Sequence, residues 1–206
     1  MTFRGMAVGL ATAALASVAA AADPPGSPRA NEALALCGRA QKAPADQRQP
    51  LLTRGLTLAE EAIAADERDA KAHFAVFCNL GKQMRLRGVG LRSLLDVRRL
   101  RREVDRTIEL APDYPDALRG KGALLIDLPR LLGGDPKEGE RFLRAALGVD
   151  PDYVDARLAL ARALEARGAR DEARDEARRA VAAAERDPGD AEDLREARAL
   201  LARLER

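Results

Sequence analysis

The sequence predicts an all-α protein, a right-handed superhelical stack of antiparallel helix hairpins. The first observation is a near-repeat, APDYPDAL from Ala111 and DPDYVDAR from Asp150, which places Pro112 and Pro151 39 positions apart. Repetition at such a period is typical of proteins built from stacked units. The second is composition, because Ala, Leu, Arg and Glu dominate and aromatic residues make up only 3% of the chain. Such a composition favours closely packed helices.

The N-terminus predicts export. Arg4 precedes an apolar, alanine-rich run over 6–22, which is short for a membrane span and ends in small residues. This is the layout of a secretory signal peptide over 1–22, with cleavage expected after Ala21 or Ala22. The alternative is an uncleaved membrane anchor. We therefore expect a periplasmic or secreted protein, whose first mature residues, 23–28, form a disordered lead rich in Pro and Gly.

The rest of the chain, 29–206, predicts one helical repeat domain. Turn and helix signals divide it into units of about 29–69, 70–114, 115–153 and 154–187, followed by a capping helix over 190–204. The second and third units carry insertions, around Arg87–Gly90 and Leu128–Gly134. After the later insertion, Asp135 is expected to cap a new helix, with Pro136 as its first residue and Glu138 three positions after the cap.

Residues 154–187 resemble the tetratricopeptide repeat (TPR) family. Ala161 matches the small position of the first helix of that repeat, and Ala173 and Ala180 match the two small positions of the second. The resemblance covers roughly 46–187. The segment around GGDP is also similar to the T-component of TRAP-type transporters and to regulator-of-microtubule-dynamics-like proteins. The family implies a TPR-like α-solenoid that binds a protein partner.

In stacked hairpins the first helix of each unit lines the inner, concave surface. Alignment to the family predicts a partner groove of mixed charge on that surface. The groove residues are Lys71, Phe74, Lys82, Asp116, Arg119, Asp155, Leu158 and Arg162.

The helix after Gly90 is the most basic segment of the chain. Its arginines Arg92, Arg99, Arg102 and Arg106 share one face. Such a face is either solvated surface or a docking site for an acidic partner or anionic head group.

Cys37 and Cys78 form an even pair in a chain expected to be exported. Both lie on first helices of neighbouring units, so a disulfide between them is a reasonable prediction. The alternative is two small buried residues that never meet.

The sequence offers little catalytic chemistry. His73 is the single histidine, and it stands where the family has a large packing residue. Two Cys and one His give no metal-ligand spacing, so we expect no metal and no cofactor. Without Arg4 the chain has 34 Lys and Arg against 33 Asp and Glu, so nucleic acid is not an expected partner either.

The leading hypothesis is thus a non-enzymatic, exported scaffold that mediates protein-protein interaction in the cell envelope, as an accessory of a transport system. Membrane contact is expected only through that partner. The alternative is a carrier that holds a small hydrophobic ligand in a channel between helix hairpins; such a carrier requires an enclosed apolar cavity.

Overall fold

A computed structural model describes residues 23–88, 93–186 and 191–206. The predicted signal peptide, Arg92 of the basic face and the part of the first insertion beyond Gly88 lie outside these residues.

The described residues form α-helices joined by short turns and contain no strand. The helices are α1 (Pro28–Lys42), α2 (Ala45–Ala65), α3 (Ala70–Arg87), α4 (Ser93–Leu110), α5 (Pro115–Asp127), α6 (Pro136–Val149), α7 (Val154–Ala166), α8 (Arg170–Arg186) and α9 (Ala191–Glu205). A short 3-10 turn, Arg130–Leu132, lies between α5 and α6. Each odd-numbered helix from α1 to α7 packs against the next even-numbered one, and α9 packs on α8. The predicted stack of hairpins is therefore confirmed.

Polar side chains cap the N-termini of several of these helices. Ser27 accepts a hydrogen bond from the Ala30 N–H, and Asp69 accepts one from the Ala72 N–H. The Asp135 carboxylate accepts from the N–H groups of both Lys137 and Glu138, each at 3.1 Å. These bonds satisfy backbone donors that the first turn of a helix leaves unpaired. The predicted start of α6 is confirmed.

Residues 23–28 are not the disordered lead that their composition predicts. Pro28 begins α1, the Ser27 N–H donates to Asp69 Oδ2 at 2.8 Å, and Pro24 is buried. The Asp23 carboxylate forms an ion pair with Lys71 Nζ at 2.6 Å. The correction has a physical reason: the partners of this segment lie on α3 and just before it, more than 40 positions away, so its local composition does not reveal them.

Alanine contacts hold the last hairpins together. Ala161, Ala173 and Ala180 are fully buried in one core with leucines of α6, α7 and α9. A methyl group at each crossing point lets neighbouring helix backbones approach closely. The alanines at the small positions predicted from the family resemblance therefore do pack between helices.

The α5–α6 hairpin is closer still, because glycines face each other where the helices cross. A Cβ atom on Gly122 would lie 2.8 Å from the Gly139 carbonyl oxygen, and one on Gly139 would lie 2.7 Å from the Gly122 oxygen. Neither position has room for a larger residue without moving a helix.

The stack curves toward its odd-numbered helices. α1 contacts α3, α5 contacts α7 and α7 contacts α9, and α3 meets α5 through the Phe77 ring at Gly120, whereas no two successive even-numbered helices pack closely over the described residues. Elements that approach one another line the inner side of a curved stack. The inner surface thus consists of α1, α3, α5 and α7.

A disulfide joins Cys37 of α1 to Cys78 of α3, whose Cα atoms are 6.2 Å apart. Cys37 is fully buried beside Leu52 of α2. The bond links the first two hairpins across the inner surface.

Candidate functional site

The inner surface carries a polar cluster at its centre, built from the starts of two successive hairpins. Tyr153 immediately precedes α7, and its hydroxyl donates a hydrogen bond to the Asp116 carboxylate. Arg119, one turn further along α5, donates through Nε to the same hydroxyl at 3.1 Å. Asp116 and Arg119 lie three residues apart and so share a helix face. Their link to Tyr153 fixes α5 against α7.

The electrostatics of this cluster favour a neutral phenol between two charges. Burial raises the pKa of Tyr153, and the Asp116 carboxylate raises it further, while the Arg119 guanidinium acts in the opposite direction. Burial and Asp116 also raise the pKa of Tyr114, whose ring packs edge-on against Phe74 with centroids 5.1 Å apart. Both tyrosines therefore remain protonated and can act as hydrogen-bond donors at neutral pH.

Lys82 of α3 extends the cluster toward α1. Its ammonium donates to the Cys37 carbonyl at 3.0 Å and to Gln41 Oε1 at 2.9 Å. Partial burial lowers the pKa of Lys82 to about 8, helped by the positive charges of Arg119 and Arg85 and opposed by the Asp155 carboxylate. The neighbouring positive charges thus disfavour the charged form of Lys82, and an additional carboxylate would stabilise it.

Three further groove residues occupy the outer parts of this surface. The Asp155 side chain, in the first turn of α7, is exposed and forms no ion pair among the described residues, although its charge acts on Lys82 and Arg119. Arg162, two turns along α7, forms an ion pair with Glu196 of α9. Lys71, at the other end, is bound to Asp23 and to Asn31 Oδ1. The mixed charge expected of the groove is present along it.

Phe74 and Leu158 do not line the groove and correct that part of the prediction. Phe74 is 4% exposed and packs against Phe77 and Tyr114. Leu158 is 1% exposed and belongs to the core of the last hairpins. Both stand on the predicted helices, but those faces turn inward between hairpins, so neither side chain is available to a partner.

The predicted basic face is partly neutralised. Arg99 forms an ion pair with Glu60 at 2.6 Å, and Arg106 forms one with Glu109 at 3.0 Å. Arg102 is exposed and has no ion pair within the described residues.

His73 is a structural link. Its ring is buried, with Nδ1 2.7 Å from Glu103 Oε2 on α4 and Nε2 3.0 Å from the Glu67 carbonyl. Burial lowers the pKa of His73, but the hydrogen bonds to Glu103 and to that carbonyl outweigh it, so the pKa is raised. Both ring nitrogens face acceptors, which favours the imidazolium form. His73 thus ties α3 to α4 and to the preceding turn.

Tyr153 is the groove residue that sequence reasoning misses. The twin PDY motifs mark Tyr114 and Tyr153 as equivalent and so suggest packing for both. Both tyrosines interact with Asp116, but the Tyr114 ring also packs on Phe74, while the Tyr153 hydroxyl joins Asp116 to Arg119 in the groove. The repeat itself is the signal that could have found it, because it places both tyrosines directly before α5 and α7, two helices of the inner surface.

A second concavity lies on the other side of α5. A cleft of about 540 Å³ is open to solvent and bounded by Arg101, Lys121, Asp135 and Glu138 together with Leu125, Phe142 and the Gly133–Gly134 pair. Among the described residues, no group of His, Cys, Asp or Glu could hold a metal ion. No described helix is both long and apolar enough to cross a membrane.

Fold and groove together define a helical repeat protein with the architecture of a protein-interaction scaffold. Residues 130–204 match the family model described as tetratricopeptide repeat. Together with the fold, this match confirms the predicted resemblance to the TPR family, and 130–204 is the part of the chain that the family model covers. The similarity to the TRAP T-component or to regulator-of-microtubule-dynamics-like proteins stays a prediction.

Solved structures agree on the fold. The thermophilic TPR protein TTC0263 of Thermus thermophilus is 19% identical, with a TM-score of 0.62 over 82% of this chain and 81% of that one. MamA (41–end) from Desulfovibrio magneticus RS-1 is 16% identical, with a TM-score of 0.51 over 87% and 94%. No curated protein matches the chain.

Proposed function

We propose that the protein is an exported, non-enzymatic scaffold that holds an extended segment of a protein partner against its inner surface, as an accessory of an envelope transport system. The observation that carries the proposal is the row of charged and polar groups on successive odd-numbered helices, Lys82 on α3, Arg119 on α5 and Asp155 on α7. A row that crosses several repeats suits an elongated ligand better than a small molecule.

The charges on this row also indicate which charged side chains the partner segment carries. The positive environment of Lys82 favours a carboxylate on the partner, while the exposed Asp155 carboxylate, which feels the charges of Lys82 and Arg119 without an ion pair to either, can accept a Lys or Arg. An extended segment with one acidic and one basic side chain would pair with both. Asp116, Arg119 and Tyr153 already hydrogen-bond to one another. They therefore form a preorganised surface between those two contacts.

The carrier alternative has no comparable support. The cleft beside α5 is open and bounded by two positive and two negative side chains. A carrier of a hydrophobic ligand requires an enclosed, mostly apolar cavity.

Affinity purification from the envelope fraction tests the scaffold. The wild-type chain should recover one protein partner by mass spectrometry, and the groove variant K82E/D155K should lose it because both charges are reversed. The control D46K/K137E reverses exposed charges on α2 and α6, which lie on the outer side. Retention of the partner by the groove variant, or a stoichiometric small molecule in lipid extracts without any protein, would contradict the proposal.

The pH dependence of that complex gives a second test. Lys82 loses its proton as the pH rises through about 8, so its attraction for a partner carboxylate should fade as the pH passes through that value. We expect the affinity to fall severalfold over this range for the wild type and to stay level for K82R, since an arginine keeps its charge. Titration calorimetry with the recovered partner measures this, and an affinity that rises with pH would exclude the assigned role of Lys82.

Export is tested separately. Expression of the full chain in a Gram-negative host, followed by fractionation and N-terminal sequencing, should give a periplasmic protein that starts at Ala22 or Asp23. Recovery of the intact N-terminus in the membrane fraction would instead indicate the uncleaved anchor.

A further inference from the structure

Among the described residues, the large hydrophobic side chains with the highest exposure lie beside the two insertions. Leu94 and Leu95 at the start of α4 are 46% and 72% exposed, and Leu131 in the 3-10 turn is 99% exposed. Leu94 and Leu131 border the same small cleft between α4 and that turn. Leucines from two separate elements therefore meet at one edge of the stack.

Specific contacts hold the turn in this position. Arg101 of α4 donates through Nη1 to the Leu132 carbonyl at 3.0 Å. Gly133 has a φ of 83°, and a Cβ atom there would collide with the Arg101 guanidinium. The Asp135 N–H donates to the Leu125 carbonyl at 2.9 Å. Leu131 thus projects from a turn that is bonded to the helices on both sides.

Arginines without ion pairs surround these leucines. Arg98, Arg102 and Arg130 are exposed, and none pairs with a carboxylate of the described residues. Leu95, Arg98 and Arg102 follow one another at helical spacing along α4, so they share a face. The acidic side chains nearby are already engaged, because Asp127 pairs with Arg85 at 3.4 Å and Glu138 with Arg141 at 2.7 Å. Asp96 lies off that row by helical periodicity.

We propose that this leucine–arginine patch docks on the surface of an anionic phospholipid bilayer. Its members are Leu94, Leu95, Leu131, Arg98, Arg102 and Arg130. Leucines that project beside unpaired cations match an interface in which acyl chains lie beneath phosphate groups, and guanidinium binds phosphate well. A bilayer accepts separate projecting side chains because it deforms around them, whereas a protein would need a shaped pocket for each leucine.

This inference does not depend on the groove, which is on the inner surface and involves other residues. It also replaces the expectation that the protein meets a membrane only through its partner, since the patch makes a direct contact.

Co-sedimentation with vesicles tests the patch. The protein from Asp23 onward is mixed with vesicles of phosphatidylcholine containing about 30% phosphatidylglycerol, and with vesicles of phosphatidylcholine alone. We expect at least about threefold more bound protein on the anionic vesicles and a decrease as salt is raised. L95S/L131S and R98Q/R102Q/R130Q should each reduce binding to the level of the neutral vesicles. Circular dichroism checks that these exposed substitutions leave the helices intact.

R39Q/R68Q is the matched control, because both arginines are exposed and lie away from the patch; it should bind like the wild type. Equal binding to both vesicle types, or binding that the patch variants leave unchanged, would overturn the proposal. So would a photo-crosslinker at position 131 that labels one envelope protein and no lipid, because the patch would then be a protein-docking site.

Discussion

At the scale of single residues, His73 shows that a side chain expected only to pack can also form specific polar bonds. It contacts Glu103 thirty positions away and a carbonyl in the preceding turn. The family position predicts that it packs, which is correct, but not that its ring forms two polar bonds. Those partners lie on α4 and in a turn, and no local pattern specifies them.

The raised pKa of His73 predicts how stability changes with pH. The folded state binds a proton more tightly than the unfolded state, so the contribution of His73 is complete below pH 6.5 and is lost as the pH rises through the folded pKa. H73Q should therefore lower the free energy of unfolding by about 1–3 kcal/mol at about pH 5.5, as expected for a buried polar contact, and by less at about pH 8. Urea denaturation at the two pH values measures the difference.

R68Q is the control for that experiment, because Arg68 is exposed on the same turn. It should leave stability unchanged at both pH values. A deficit of H73Q that grows toward the higher pH would contradict the assigned imidazolium.

At the scale of elements, the α5–α6 hairpin depends on two glycines as well as on hydrophobic side chains. The Gly122 and Gly139 backbones face each other, and Leu143 closes the contact from the side. Gly122 lies 39 positions before Ala161, the spacing of the repeated PDY segments, so the sequence predicts a small position and a close approach there. It cannot show that the nearest atom is a backbone oxygen, which cannot move aside as a flexible side chain does.

This difference predicts opposite effects for two glycine substitutions. G122A places a methyl group 2.8 Å from a carbonyl oxygen and 2.9 Å from Leu143, so we expect a loss of about 1–3 kcal/mol in the free energy of unfolding. G38A adds a methyl group to the exposed side of α1, where no atom lies within 4 Å, and should gain up to about 1 kcal/mol through helix propensity. Chemical denaturation compares the two, and equal effects would show that the crossing is looser than described.

At the scale of the whole molecule, the repeated PDY segments, the alanine positions and the capping signals are sufficient to predict the stack. They do not predict the inner surface in detail. Alignment assigns Phe74 and Leu158 to the groove because periodicity identifies residues that share a helix face. It does not show whether the packing of a neighbouring hairpin buries that face in the core. The sequence wrongly predicts disorder for 23–28, because the contact of Asp23 with Lys71 spans 48 positions of the chain.

The disulfide also acts at this scale, since it joins two hairpins across 41 positions of chain. Its reduction should lower the free energy of unfolding by about 2–4 kcal/mol, because the unfolded chain gains freedom. Protein purified from an oxidising compartment should take up no iodoacetamide until it is reduced, and its denaturation midpoint should fall in reductant. Alkylation of both cysteines in the unreduced native protein would exclude the bond.

The ion pair between Asp23 and Lys71 has a consequence for orientation. It fixes the start of the described chain at the N-terminal end of α3, whereas the leucine–arginine patch begins just after the C-terminal end of that helix. The 18 residues of α3 separate these two edges by about 27 Å. If residues ahead of Asp23 were held in a bilayer, that separation would have to be bridged before the patch could reach the same bilayer, so cleavage at the predicted site would favour docking.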